Sequence, residues 1–112
     1  SGSPFPVMNI WETDQSLCVE LEVPGLKLED LEVLVAGSEL TVKGARKDAE
    51  PKGDSLYHRR ERVSGSFSRS VQIPVGIDAG KVEAALKDGV LTVTLPKAEA
   101  AKPRKVLVKA HQ

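Results

Sequence analysis

The chain has 112 residues, with 16 basic and 16 acidic side chains and therefore no net charge at pH 7. A chain of this length forms a single domain and removes roughly two thirds of its unfolded surface from water. Zero net charge gives no whole-chain reason to expect a nucleic acid or a membrane surface as partner. Charge is nevertheless segregated, because residues 1–42 hold eight acidic side chains and one basic one. We expect this acidic first third and the basic remainder to favour self-association.

Alternation of apolar and polar residues with a period of two predicts short β-strands along most of the chain. A first strand is predicted over residues 7–11. A second runs from Leu17 to Val23 and ends at the Pro24-Gly25 turn signal. A hairpin follows over residues 31–43, with Gly37-Ser38 at its turn.

The middle of the chain is richer in charge and in turn-forming residues. The run from Lys43 to Leu56 predicts a loop, and Leu56 to Val63 predicts a charged strand. Two further strands end at Pro74 and Pro96, and residues 97–105 read as a linker. About eight short strands punctuated by Gly and Pro are typical of an antiparallel β-sandwich.

The segment from Asp78 to Lys87 leaves two alternatives. Asp78 as an N-cap and Gly89 as a stop indicate a helix. The same segment also places Val82, Ala84 and Leu86 on one face of a strand. Ten residues cannot decide between the two by periodicity.

Catalytic and metal-binding chemistry is sparse. His58 and His111 are the only histidines, and no spacing of His or Cys matches a metal site. No glycine-rich phosphate-binding motif is present. We therefore expect no enzymatic activity, no metal and no cofactor.

A few residues indicate the cellular compartment of the protein and the nature of its N-terminal end. Cys18 is the only cysteine, which excludes an intrachain disulfide and predicts a reducing, cytoplasmic setting. Cys18 itself is either an exposed thiol or a redox-active one. No apolar run approaches the roughly 20 residues of a membrane-spanning helix. The start at Ser1-Gly2-Ser3, without Met, indicates an artificial end, either a cloning scar or the cut end of a longer protein.

Two segments near the end of the chain carry a recognisable pattern. Residues 85–96 read A-L-K-D-G-V-L-T-V-T-L-P, and Val106-Leu107-Val108 forms an isolated apolar triplet in a polar tail. Together they resemble the signature of the small heat-shock proteins, in which the first run is the last strand of the α-crystallin domain. The segments D-L-E-V-L-V-A-G-S-E-L-T-V-K-G-A-R-K and F-S-R-S-V-Q-I-P resemble earlier strands of that domain. The Pro24-Gly25-Leu26 turn and the long connection before Phe67 resemble the bacterial and plant branch.

The resemblance implies a fold and a function. The fold is an all-β, immunoglobulin-like sandwich of about eight antiparallel strands, with a protruding strand-bearing loop and a flexible C-terminal tail. The implied divisions are a flexible N-terminal remnant (1–6), an α-crystallin domain (7–96) and a C-terminal extension (97–112). The resemblance also favours the strand alternative for residues 78–87. The implied function is that of an ATP-independent chaperone, or holdase, which binds partly unfolded proteins. The alternative is a co-chaperone domain of the same architecture, similar to the p23-type proteins, which recognises one folded partner.

The resemblance further implies two contacts between copies. In the family, a strand in the long connection pairs with the first strand of a partner subunit and forms a homodimer. By position, the strand that exchanges comprises Tyr57, His58, Arg59, Arg60, Glu61 and Arg62, and the strand that accepts it comprises Asn9, Ile10, Trp11 and Glu12. We expect the arginines to meet Glu12 and Asp14 across this contact.

The second contact involves the tail. In the family, the tail motif packs into a groove of another dimer. By position, the tail motif is Val106, Leu107 and Val108, and the groove is lined by Leu31, Val33, Val35, Val82 and Ala84. Higher oligomers would assemble through this contact. The family commonly has Ile at the outer positions, and each missing methylene weakens docking by roughly 0.8 kcal/mol.

Overall fold

The computed structural model describes residues 5–51 and 59–111, with side chains described for residues 5–46 and 65–111. In this part of the chain, seven antiparallel strands form two sheets. The strands are β1 (Met8–Glu12), β2 (Ser16–Glu22), β3 (Leu31–Ala36), β4 (Glu39–Pro51), β5 (Arg59–Gln72), β6 (Glu83–Lys87) and β7 (Val90–Pro96). Three short 3-10 helices connect or follow them, at Leu28–Asp30, Ala79–Lys81 and Glu99–Ala101.

The strand order determines which strands lie at the edges. One sheet has the order β1-β2-β7-β6 and the other has the order β3-β4-β5. The edge strands are therefore β1 and β6 in the first sheet, and β3 and β5 in the second. The predicted all-β sandwich is confirmed.

The core lies between the central strands of the two sheets. Inward-facing residues alternate along β2 and β7, and the register pairs Val19 with Val93 and Leu21 with Leu91. β4 contributes Leu40 and Val42 from the opposite sheet. The buried apolar side chains are Leu17, Val19, Leu21, Val23, Leu40, Val42, Ile73, Leu91, Val93 and Leu95. Burial of each contributes about 1.5–3 kcal/mol, so the period-two pattern accounts for the two-layer fold.

The ambiguous segment is a strand, as predicted. A single 3-10 turn at Ala79–Lys81 precedes β6, which pairs with β7 through an Asp88-Gly89 turn. Both turn residues have positive φ, 51° for Asp88 and 76° for Gly89. Such a turn matches the twist of a two-residue hairpin, and Asp-Gly is a favoured sequence for it. Gly89 therefore lies in the turn of the β6–β7 hairpin. The sequence alone also allowed it to end a helix.

The predicted loop between Lys43 and Leu56 is wrong for residues 44–51. β4 continues to Pro51, and β5 begins at Arg59, which pairs with Pro51. The register shifts between Arg46 and Lys47. A hairpin of this kind is held by backbone hydrogen bonds, which need no apolar alternation.

The separate charged strand predicted from Leu56 to Val63 is also corrected. Its described part, from Arg59, is continuous with the following strand, so one β5 replaces two predicted strands. The linker predicted over residues 97–105 likewise contains a 3-10 helix at Glu99–Ala101.

The residues before β1 pack on β5. Pro6 is fully buried, and its carbonyl accepts a hydrogen bond of 2.5 Å from Nη1 of Arg69. The rings of Phe5 and Phe67 meet edge to face, with centroids 5.8 Å apart. β5 therefore lies on the β1 side of the sandwich, and β3 and β6 lie on the other side.

Candidate functional site

The residues predicted to line the groove lie on β3 and on or just before β6, the two edge strands away from β1. On β3, the predicted residues pair with the buried or inward-facing residues of β4: Leu31 with Gly44, Val33 with Val42, and Val35 with Leu40. All three are half-buried and pack against the core. They therefore point inward at an edge where water still reaches them.

The β6 side of the predicted groove has the same character. Ala84 pairs with the fully buried Val93 and therefore faces inward, yet it is exposed. Val82, just before β6, is half-buried and packs against the core. Leu86 lies on the same face and has the same burial, although the predicted groove set did not include it. The rims of both edge strands are thus apolar and open.

The predicted accepting strand is β1, which pairs only with β2 among the described strands. Asn9 and Trp11 pair with Glu20 and Cys18 on the outer face of the sheet. Ile10 and Glu12 lie on the inner face, paired with Val19 and Leu17. Ile10 is 47% exposed and Trp11 is 42% exposed, which is unusual for large apolar residues.

The predicted exchanging strand is partly described. Arg59, Arg60, Glu61 and Arg62 form the first residues of β5 and pair with residues 48–51 of β4 in the same chain. Tyr57 and His58 lie outside the described residues. Because β5 is at the edge of its sheet, this pairing uses one side of the strand only.

The predicted tail motif is solvent-exposed. Val106, Leu107 and Val108 are 78%, 81% and 90% exposed, and residues 103–111 have no regular secondary structure. These side chains face solvent, so they can be buried only by contact with another surface.

The tail base, defined as Lys97–Lys102, is bonded to the sandwich. Ile77 and Lys97 form an isolated antiparallel bridge, and the Ala98 N–H donates to the Gly76 carbonyl at 3.0 Å. The Lys102 N–H closes the 3-10 helix by donating to the Glu99 carbonyl at 3.2 Å. The tail base is therefore bonded to the sandwich at Lys97 and Ala98 and continues as a 3-10 helix towards Lys102.

The charges at the tail base are paired. Nζ of Lys102 lies 2.8 Å from Oε1 of Glu99. That hydrogen bond, with the positive charge of Lys102, holds the pKa of the fully exposed Glu99 carboxyl below its ordinary value of 4.5. Lys81 and Asp78 form a second, looser pair with a separation of 3.8 Å.

A third ion pair was missed by the sequence analysis. Nζ of Lys97 lies 2.7 Å from Oε2 of Glu12, and the Lys97 side chain is only 5% exposed. Glu12, which was predicted to meet a partner's arginines, thus already has a cationic partner within its own chain. A signal existed in the sequence, because Lys97 continues the inward-facing series Leu91, Val93 and Leu95.

Metal ligation and a membrane-spanning helix have no structural basis in the described residues. Among the residues with described placement, no group of three or more His, Cys, Asp or Glu side chains is arranged to hold a metal ion. Over the same residues, no helix has the length and apolarity to cross a membrane. Cys18 is a half-buried free thiol between Trp11 and Thr94 on the outer face of its sheet.

Comparison with known proteins gives consistent matches across the chain. A family model described as the Hsp20/alpha crystallin family matches residues 9–109. Small heat shock protein C2 of Rickettsia felis is 36% identical over 105 residues, covering 94% of this chain and 68% of that protein. The 16.9 kDa class I heat shock protein 1 of Oryza sativa subsp. japonica is 44% identical over 94 residues, covering 82% of this chain and 62% of that protein. This chain thus spans about two thirds of the length of these curated relatives.

The fold is also similar to solved structures. Heat shock protein 16.0 from Schizosaccharomyces pombe matches with a TM-score of 0.71 and 34% identity, over 96% of this chain and 100% of that one.

Proposed function

The chain belongs to the Hsp20/alpha crystallin family, and from this premise we propose that it is an ATP-independent holdase that binds partly unfolded proteins in the cytoplasm. Membership of the small heat shock proteins supports a chaperone role. We assign the chain no enzymatic step and no cofactor. Its partners are other copies of itself and partly unfolded client proteins.

One observation carries the proposal: apolar side chains on the inward faces of the edge strands β1, β3 and β6 remain accessible. Ile10 on β1 and Ala84 on β6 both pair with fully buried core residues, and both are exposed. A sheet edge offers backbone groups to an extended chain, and apolar side chains beside the edge offer it a place to bury its own. Partly unfolded proteins expose such extended apolar segments. Binding of this kind requires no nucleotide hydrolysis.

We further propose that the homodimer forms at the outer edges of β1 and β5. The residues involved are Asn9, Ile10, Trp11 and Glu12 of one chain with residues 57–62 of the other. Support comes from the topology, because β1 and β5 are edge strands and Arg59–Arg62 use one side for pairing with β4. Charged pairs across such a contact contribute only about 0.2–1 kcal/mol each, so backbone pairing supplies most of the stability.

For assembly beyond the dimer, we propose that Val106 and Val108 enter the groove of another dimer. The groove comprises Leu31, Val33, Val35, Val82 and Ala84. The exposure of the triplet and the half-buried state of the β3 residues support this contact. Burial of two Val side chains contributes roughly 3–6 kcal/mol, whereas ordering each tail residue costs about 1–2 kcal/mol. A single tail should therefore bind weakly, and several must act together.

The holdase proposal is tested by heating an aggregation-prone client and recording light scattering with and without the chain. We expect suppression at stoichiometric ratios, equal in the presence and absence of ATP. Ile10→Asp places a charge at the open edge of β1 and should weaken suppression. Leu28→Asp is the matched control, because Leu28 is as large as Ile10 and even more exposed but lies in a 3-10 helix between β2 and β3.

Two results would contradict the holdase proposal. Unchanged scattering at several-fold excess of the intact chain would remove it. An equal loss of suppression in the two variants would show that the β1 edge is not the binding surface. Stable binding to one folded protein without suppression would instead favour the adaptor alternative.

A further inference from the structure

Lys97 directly follows β7, begins the tail base and contacts the turn between β1 and β2. Leu91, Val93 and Leu95 of β7 face the core, and Lys97 occupies the next inward position. Its side chain is almost completely buried, and its ammonium group lies 2.7 Å from Oε2 of Glu12, the last residue of β1. The pair joins residues that are 85 positions apart in the sequence.

Backbone contacts hold Lys97 itself in place. Its N–H donates to the Gln15 carbonyl at 2.8 Å, and Lys97 pairs with Ile77 in an antiparallel bridge. The turn that follows Glu12 is closed by Thr13, whose hydroxyl accepts the N–H of Ser16 at 3.0 Å. The backbone from which the Lys97 side chain extends is therefore held in place.

The two members of this ion pair depend on each other unequally, because only one of the two charges is buried. A buried ammonium group without a counter-charge is strongly unfavourable, whereas a carboxylate at the surface is readily solvated. The Lys97 side chain is 5% exposed and that of Glu12 is 47% exposed. Lys97 therefore depends on Glu12, and Glu12 must stay close to the end of β7.

β1 has few other attachments at this end. Its backbone pairs only with β2 among the described strands, and Ile10 and Trp11 are each more than two fifths exposed. Edge segments with little apolar burial open at low free-energy cost. A contact from the last residue of β1 to the residue that follows β7, two strands away in the same sheet, thus has an unusually large effect on the order of β1.

We propose that Lys97 is a positioning residue for β1: through Glu12 it holds the edge strand against the sandwich and connects that edge to the tail base. The role in keeping β1 ordered stands on the geometry alone. The consequence for dimer formation rests on the proposed strand exchange, because an ordered β1 would present a preformed edge to the partner's β5. A change at Lys97 would then alter the dimer edge.

Amide hydrogen exchange by NMR, measured residue by residue, tests the first part. Glu12→Gln leaves the buried ammonium without a counter-charge, and Lys97→Met keeps an unbranched stem while removing the charge. We expect exchange to accelerate about tenfold or more in both variants for the β1 amides and for the β2 amides that donate to β1, while the amides paired between β2 and β7 keep their rate. Lys102→Met is the matched control, because Lys102 forms an equally short pair with Glu99 at an exposed site, and β1 exchange should not change.

The local pattern is decisive because a general loss of stability would accelerate all strands equally. Uniform acceleration in Lys97→Met and Glu12→Gln, or β1 exchange at the original rate in both, overturns the proposal. Should Lys97→Met fail to fold, Glu12→Gln decides alone, since the change is at a half-exposed side chain and preserves an acceptor. Measurement at two protein concentrations separates the intrachain effect from protection by a partner.

The second part is tested by the dimer dissociation constant from sedimentation equilibrium. Both variants should raise it at least tenfold relative to Lys102→Met. A chain that is monomeric at every concentration removes the proposed strand exchange but leaves the exchange-rate result to decide the role of Lys97. A dimer of unchanged affinity with a loosened β1 overturns only the connection to assembly.

Discussion

The ring of Phe67 occupies the space that a side chain on Gly44 would need. A Cβ atom at Gly44 would lie 2.7 Å from Cζ of Phe67, closer than real Cβ contacts occur. The two residues are register partners on β4 and β5. Phe67 in turn contacts Phe5 edge to face, so the missing side chain at Gly44 allows the residues before β1 to pack on β5.

Gly44→Ala should therefore destabilise the fold. The added methyl group forces the Phe67 ring from its position and disturbs its contact with Phe5, which costs about 1–3 kcal/mol. Urea denaturation followed by tryptophan fluorescence measures the change. Gly80→Ala is the control, because the nearest atom to its Cβ would be 3.7 Å away, and its stability should change by less than about 1 kcal/mol. Equal stability of the two variants would contradict the close approach of Gly44 and Phe67.

The β6–β7 turn should tolerate some residues and reject others at Asp88. Its φ of 51° lies in the left-handed region, which Asn and Gly adopt readily and β-branched residues do not. Asp88→Asn should leave the unfolding midpoint nearly unchanged, whereas Asp88→Val should cost about 1–3 kcal/mol. Thermal unfolding by circular dichroism distinguishes them. If the Val variant were as stable as the Asn variant, the turn geometry assigned here would be incorrect.

Substitutions in the tail should change assembly without changing the dimer. Val106→Ala with Val108→Ala removes apolar surface at the two positions proposed to enter the groove, at about 0.8 kcal/mol per buried methylene. Light scattering coupled to size-exclusion chromatography should show smaller assemblies that retain the dimer. Val106→Ile with Val108→Ile should shift the distribution the other way.

Leu107→Ala is the control for the tail, since Leu107 is proposed to point away from the groove. A loss of assembly in Leu107→Ala that matched the loss in the double Ala variant would argue against groove docking by alternate residues.

Shortening the β4–β5 hairpin should abolish the dimer. Deletion of residues 55–63 removes the strand proposed to pair with a partner's β1, while the buried core residues remain. At tens of micromolar, the intact chain should be a dimer and the deleted chain a monomer by light scattering. A monomer in both cases would remove strand exchange, and a dimer in both would place the contact elsewhere.

Acidification should loosen the tail base. The hydrogen bond and positive charge of Lys102 lower the pKa of Glu99 below 4.5, so the stabilising pair is fully present above pH 4.5 and is lost as the pH falls through the lowered value. NMR titration of the Glu99 side-chain carboxyl should give this lower pKa. Lys102→Met should return it towards 4.5, and an unchanged titration in that variant would exclude Lys102 as the cause.

The sequence predicted the central strands well because burial and alternation coincide there. Leu17, Val19 and Leu21 alternate with polar residues, and all three are buried as predicted. The extent of β4 was missed, because its far end carries charged residues and a proline in place of alternating apolar residues. Nothing in the apolar pattern marks such a pairing, which depends on the partner strand.

The Glu12–Lys97 pair illustrates a different limit. Periodicity could have placed Lys97 on the inner face of β7, but it could not identify which acidic residue would lie beside it. That information depends on the strand order, in which β1 and β7 both flank β2. Exposed apolar residues such as Trp11 and Val106 are similarly uninformative until the fold shows whether they are covered.

The anchored tail base limits how far the tail triplet can reach. Only residues 103–105 separate Lys102, the last bonded residue, from Val106. Four extended peptide steps span about 14 Å at most, and the ring of Pro103 narrows the directions available. So short a connection restricts where Val106 can bind, because any groove that receives it must lie within that distance of Lys102. The sandwich itself would therefore set the spacing between neighbouring dimers.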